Sequence, residues 1–201
     1  MFPMPSNGRR LDPKTRKEQL LAFGRQHFAK NGFDSCSMDE LAKQAGVSKA
    51  LLYHYFGGRR GFFLASARSI ISGLEHAVAE IGDANDIGAI MGGLVFYCQM
   101  NPSVYEVTGG RMGPIPELAD QVKRLQVDVV NRCLGCLDMG ELEAQPPMAQ
   151  ALLWGWVALV NRAIEESIRL PDIELIEFAA TLERNFINLA EQIRTLETAV
   201  N

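Results

Sequence analysis

Lys49, Ala50, Tyr53, His54 and Tyr55 fall within a seven-residue stretch, and Arg59 follows shortly after. Together they offer an ammonium, a methyl group, two phenols, an imidazole and a guanidinium. None has a partner acid or nucleophile at a spacing that would build a catalytic site, so the chemistry on offer is recognition. A lysine can reach the acceptors on the edge of guanine, and an alanine methyl can touch the methyl of thymine. Tyrosine hydroxyls can reach phosphate oxygens, which position a protein on a duplex. Arg59 stands where a new helix is expected to start, and backbone amides and the helix dipole favour a phosphate there.

Such a set needs a short, exposed helix to carry it, and the sequence supplies one. Ser37-Met38-Asp39-Glu40 is a capping box in which Ser37 and Glu40 would satisfy each other's backbone amides. The helix it opens ends near Ala45, where Gly46 can turn the chain with a positive φ. Ser48 can cap a third helix from Lys49 to about Tyr55, and Gly57-Gly58 breaks it. Two short helices around a tight glycine turn make a helix-turn-helix. Leu41, Ala42, Val47, Leu52 and Phe56 would form its small core, leaving Lys49, Ala50, Tyr53 and His54 outside. An earlier helix is expected from Asp12-Pro13 to about Asn31, with Leu20, Gly24 and Phe28 on one stripe.

Charge supports a head of this kind. Residues 1–60 carry eleven Lys/Arg against five Asp/Glu, and the rest carry nine against nineteen, although the whole chain is only −4. A basic end on an acidic body suits a polyanion, because Lys and Arg displace counterions from phosphates.

The head is similar to that of the TetR family of bacterial one-component transcriptional regulators. The family's signature is matched by Ser37, Leu41, Ala42, Ala45 to Phe56 and Arg59, and upstream by Arg16, Leu20, Leu21, Phe28, Gly32 and Phe33. The match covers about residues 14–63. The chain departs from the family at Ala50-Leu51, where Gly-Thr is frequent, at Arg59, where the usual phosphate-binding residue is Lys, and at Arg60, where an acid is common. The resemblance implies a DNA-binding face made of Ser37, Ser48, Lys49, Ala50, Leu51, Tyr53, His54, Tyr55 and Arg59. It implies an all-α chain of about nine helices. Residues 1–58 would form a three-helix, homeodomain-like DNA-binding domain, and residues 59–201 an effector-binding and dimerisation domain.

Beyond the head, helices are expected at about 59–81, 86–100, 102–110, 115–137, 147–169 and 172–197, separated by Gly and Pro breaks. The last holds a heptad seam, Leu175, Ala179, Leu182, Phe186, Leu189, Ile193 and Leu196. The helix before it contains ALLWGWVALV, apolar on nearly every side, and therefore needs cover on several faces. A homodimer through the last two helices is expected, and the resemblance adds that these helices pair as a four-helix interface. Two heads would then read a near-palindromic operator. The resemblance also implies an effector pocket among the middle helices. Phe96, Tyr97, Met100, Tyr105, Arg111 and Trp154 are its candidate lining for a small, largely apolar molecule.

Other function classes have little support. The three histidines are far apart, Cys133-x-x-Cys136 is half of a metal site with no second half, and Gly57 to Gly61 lacks the Lys-Ser/Thr of a phosphate loop. No cofactor, metal or catalytic residue is expected. MFPMPSNGRR has no apolar stretch of the signal-peptide kind, no run would span a bilayer, and four unpatterned cysteines suit a reducing compartment. A cytoplasmic setting without membrane partners is the expectation. The resulting reading is a ligand-responsive DNA-binding repressor. The alternative is a helical small-molecule carrier or enzyme whose head no longer binds DNA.

Overall fold

The computed structural model describes residues 12–31, 37–80, 86–102, 104, 115–170 and 172–200, without the side chains of 29 and 197–200. The described residues form eight α-helices and no strand. They are α1 (Pro13–Asn31), α2 (Met38–Gln44), α3 (Lys49–Phe56), α4 (Arg59–Glu80), α5 (Ile87–Met100), α6 (Ala119–Gly135), α7 (Pro147–Arg169) and α8 (Leu175–Val200). The expected helix at 102–110 lies almost wholly outside the described residues. Of its length, Val104 is described, helical and buried.

Local chemistry sets the head's boundaries. Asp12 accepts from the Thr15 amide at 3.0 Å and opens α1. The Ser37 amide donates to Glu40 Oε2 at 2.7 Å, and Ser37 Oγ accepts from the Glu40 amide at 3.3 Å, closing the capping box of α2. Gly46 takes φ 65° in the turn, and Gly57 takes φ 72° at the end of α3. Both are left-handed conformations that a side chain would strain.

The head's core is aromatic. Phe62 of α4 is fully buried and meets Phe56 of α3 with ring centroids 4.6 Å apart and Phe28 of α1 at 5.5 Å. Leu20, Leu41 and Leu52 complete this core, all essentially inaccessible. Thus α4, though it starts at the expected boundary after residue 58, closes the head with its first turns and enters the body with its later ones. Two glycines permit the packing. A Cβ on Gly24 would stand 2.1 Å from Ser66 Oγ, and one on Gly61 would stand 1.9 Å from the Phe56 carbonyl oxygen.

In the body, α5 packs against α4, α6, α7 and α8. It turns Ile87, Ile90, Met91, Leu94, Val95 and Cys98 inward. Most of the seam of α8 is used inside the chain, although Leu196 is 42% exposed. Ala179, Leu182, Phe186 and Ile193 are buried where α8 meets α5 and α7, and the Phe186 ring lies edge-on to Trp156 at 4.7 Å. On α7, Leu153, Trp156, Val157, Val160 and Ile164 face this core. The opposite face of α7 is exposed among the described residues.

Candidate functional site

The α3 helix presents the expected outer face. Lys49, Ala50, Tyr53 and His54 are exposed, while Leu51 and Tyr55 are half-buried. The division follows from helical spacing: Leu52 and Phe56 anchor one side in the core, so residues two and three positions earlier point away from it. Tyr55 packs its ring between His54 and Phe56, at 5.3 and 6.0 Å. Arg59 opens α4 immediately beyond the Gly57-Gly58 break.

Two of the serines have local partners. Ser48 Oγ accepts from the Leu51 amide at 3.2 Å and caps α3, and Ser37 is held in its capping box. Their hydroxyl oxygens are therefore engaged in building the two helices. Lys49 is also engaged: its ammonium donates to Asp39 of α2 at 2.8 Å. Hydrogen bonding to Asp39, with the attraction of its charge, raises the lysine's pKa above its ordinary value. The group is cationic at any physiological pH. The pair is well exposed and so exchanges readily for another anion.

Arg60, the third departure from the family pattern, has a partner in the body. Its Nε donates to Glu117 Oε1 at 2.9 Å, in the short 3-10 turn Pro116–Leu118 that leads into α6. The Arg60 hydrogen bond holds the Glu117 carboxyl below its ordinary range.

The body contains a cavity of about 290 Å³ between α4, α5, α6 and α7. Its wall is mainly apolar, with Leu74, Leu94, Val129, Trp156, Val160 and Ile164 prominent. The Cys98 thiol also lines it, its pKa pushed up to about 12 by burial. Gln126, Asn161, Arg162 and Glu165 add polar groups.

Of the residues expected from sequence to line such a site, the four that are described do not line this cavity. Phe96 and Met100 are 61% and 65% exposed, on the face of α5 opposite its buried stripe. Phe96 instead lines a shallower groove between α5 and α8, with Gly92 and Ile176. Tyr97 is half-buried against the body core, its hydroxyl 2.1 Å from where a Cβ on Gly73 would stand. Trp154 is half-buried on α7, two residues from the tryptophan that does line the cavity. Tyr105 and Arg111 lie outside the described residues. Sequence reasoning weighted aromatic and methionine content. The better signal was the inward stripe of α5 combined with the small and β-branched residues on the inner side of α7.

Among the described residues no group of three or more His, Cys, Asp or Glu could hold a metal ion. None of the described helices is long and apolar enough to cross a membrane.

A short helix pair with a cationic and aromatic outer face, set on a body that is helical among the described residues, is a helix-turn-helix arrangement. Residues 20–66 match the model of the bacterial regulatory proteins of the tetR family. The chain is 34% identical over 80 residues to the HTH-type transcriptional activator FasR of Mycolicibacterium smegmatis, covering 38% of this chain and 36% of that protein. It is 36% identical over 84 residues to the HTH-type transcriptional regulator BetI of Stenotrophomonas maltophilia, covering 41% of each. The matches thus span about two fifths of the length of these curated relatives. The fold resembles the crystal structure of a tetR-family transcriptional regulator from Streptomyces coelicolor, with a TM-score of 0.74 at 19% identity over 92% of this chain and 85% of that one. Over residues 20–66 the chain is similar to the TetR family of regulators, and its overall fold is that of the structures it resembles.

Proposed function

We propose that the protein is a sequence-specific DNA-binding regulator, a homodimeric repressor that leaves its operator when a small, largely apolar molecule enters the body. The observation that carries this reading is the outer face of α3, where Lys49, Ala50, Tyr53 and His54 are exposed together on a helix anchored by Leu52 and Phe56. In the proposed complex α3 lies in the major groove. Lys49 exchanges Asp39 for a base edge, and Tyr53, Tyr55 and Arg59 hold the phosphates. The cytoplasm is the proposed place of action.

Support for the dimer comes from α7. Met148, Ala151, Leu152, Gly155, Ala158 and Leu159 form an exposed stripe of apolar and small residues along it. Among the described residues the stripe is uncovered, and a Cβ on Gly155 would meet nothing within 4 Å. A two-fold partner would cover the same stripe with its own α7. The heads would then address half-sites about one helical turn, roughly 34–36 Å, or a multiple apart.

Coupling follows from linkage. An effector that fits best when the heads are wrongly spaced for the operator lowers DNA affinity, and DNA lowers effector affinity by the same factor. The α4 helix is shared by head and cavity wall, so its tilt is the proposed carrier.

The test starts with selection of bound fragments from a random duplex pool. Lys49→Ala is expected to lower discrimination at one base position by about tenfold. Arg59→Ala is expected to weaken all sequences alike and flatten the salt dependence. If both variants bind the selected operator as the parent does, α3 is not docked as proposed.

A further inference from the structure

The cavity's polar groups divide into two sets of different chemical standing. The first is ionic and already engaged. Glu165, only 6% exposed, accepts from Arg162 at 2.6 Å and from Arg169 at 2.7 Å. Glu166 accepts from the same two arginines, at 2.5 and 3.2 Å. Two cations and two anions thus form a neutral ring at one side of the cavity. An anionic ligand drawn to Arg162 would have to displace Glu165 and leave a buried carboxylate without its partner. A cationic ligand drawn to Glu165 would have to compete with two guanidinium groups already in place.

The second set is neutral and unspent. Gln126 of α6 and Asn161 of α7 both line the cavity. Among the described residues neither side-chain amide has a hydrogen-bond partner. An amide donates and accepts, so the pair can serve a carbonyl or a hydroxyl on a bound molecule. Elsewhere the wall is Leu, Val, Ile and Ala with the Cys98 thiol and Trp156, whose buried Nε1 has no hydrogen-bond partner among the described residues and offers one further donor. The volume, about 290 Å³, lies at the lower end of the roughly 300–1,000 Å³ usual for small-molecule sites.

We propose that the effector is an uncharged molecule with a compact aliphatic body and one carbonyl or hydroxyl head. The body occupies the cavity between Leu94, Val129 and Val160, and the amides of Gln126 and Asn161 hold the head. Charged amphiphiles of the same size are disfavoured because the ions among the described lining residues, Arg162 and Glu165, are already engaged. This rests on the reading of the cavity as the effector site.

The test uses three ten-carbon probes, γ-decalactone, decanoate and decylammonium, against the full chain without DNA. Binding is followed by thermal shift and by the fluorescence of Trp156 in a Trp154→Phe background. The lactone is expected to bind, with decanoate and decylammonium at least about tenfold weaker. Joint replacement by Gln126→Leu and Asn161→Leu is expected to weaken the lactone about tenfold with helical content unchanged. Should that variant fail to fold, Glu165→Gln supplies a second reading. It opens the ionic ring, frees guanidinium donors and should shift the preference towards decanoate. Equal or tighter binding of decanoate by the parent, failure of the lactone to bind, or an unchanged ranking in Glu165→Gln would overturn the assignment. Operator release is measured separately. A lactone that binds but leaves the operator occupied defeats the proposed switch and leaves the ligand class standing. A charged compound that releases DNA from the parent through this cavity defeats the ligand class and leaves the switch.

Discussion

The α3 and α7 helices each leave one face uncovered, and the two faces are chemically opposite. On α3 the exposed residues are Lys49, Ala50, Tyr53 and His54; on α7 they include Met148, Leu152, Gly155 and Leu159. Each helix buries its other face in a dense core, around Phe62 in the head and around Phe186 in the body. Burial therefore cannot distinguish them; the chemistry of what is left outside does. A face of hydrogen-bonding and cationic groups keeps its water until a polyanion offers better partners. A contiguous apolar stripe gains by leaving water altogether, and such patches mark interfaces.

Glycine makes the same contrast at atomic scale. Gly24 and Gly61 stand where a methyl group would collide with a neighbour, whereas Gly155 has open space around it. The first two serve packing already made within the chain. The third permits close approach by something outside it.

The comparison can be broken most severely at α7 and α8. Phe186→Asp buries a charge in the core and is expected to abolish folding, seen as loss of the helical circular dichroism signal. Gly155→Asp with Leu159→Asp is expected to leave each chain folded and yield monomers by light scattering. Operator affinity should then fall by at least about a hundredfold, because two linked heads bind with avidity that single heads lack. A double variant that stays dimeric would show that the partner uses another surface.

The next effect is in the head. Gly61→Ala forces backbone atoms apart between α3 and α4 and is expected to cost on the order of 3 kcal/mol, read as a lowered midpoint in urea. The same substitution at Gly155, inside a helix and with open space around it, is expected to raise the folded chain's stability by up to about 1 kcal/mol. Equal costs at the two sites would remove the distinction between packed and open glycines.

A smaller effect sharpens the account of α3. Asp39→Asn removes the carboxylate that holds Lys49. DNA affinity is expected to rise severalfold, with a steeper dependence on salt. An unchanged salt slope would mean that Lys49 stays off the duplex.

The smallest effect concerns pH. His27 lies against Phe23 and Phe28, at 5.6 and 5.5 Å. Burial lowers its pKa from the ordinary 6.5, against an opposing hydrogen bond with Gln44. The folded chain thus takes up the proton less readily than the unfolded one. Stability from this group is level above pH 6.5 and declines as pH falls below it. His27→Phe is expected to flatten that decline in a series of thermal melts.

Much of the head is written in local sequence. Ser37 and Glu40 place a helix start within four residues, Gly46 and Gly57 place the turn and the stop, and Leu52 with Phe56 decides which side of α3 is left outside. These are short-range constraints, set by the hydrogen-bonding capacity and backbone freedom of residues near one another in the chain. For the same reason α7 was expected from 147 to 169 and spans those residues.

Tertiary structure decided what periodicity leaves open. The heptad seam of α8 is a real apolar stripe, but an apolar stripe does not specify whether its cover comes from the same chain or another. Here α5 and α7 of the same chain provide it. The aromatic and methionine residues of α5 looked suited to a ligand, yet Phe96 and Met100 face away from the cavity because the stripe from Ile87 to Cys98 claims the interior. The ionic ring of Arg162, Glu165, Glu166 and Arg169 is local, set by three- and four-residue spacing on one helix. Its place beside a cavity, across from Gln126 of α6, depends on how separate helices pack. Sequence sets each helix's faces through short-range spacing. Only the packing of distant helices settles which faces meet, because that choice is made by shape and volume across the whole chain.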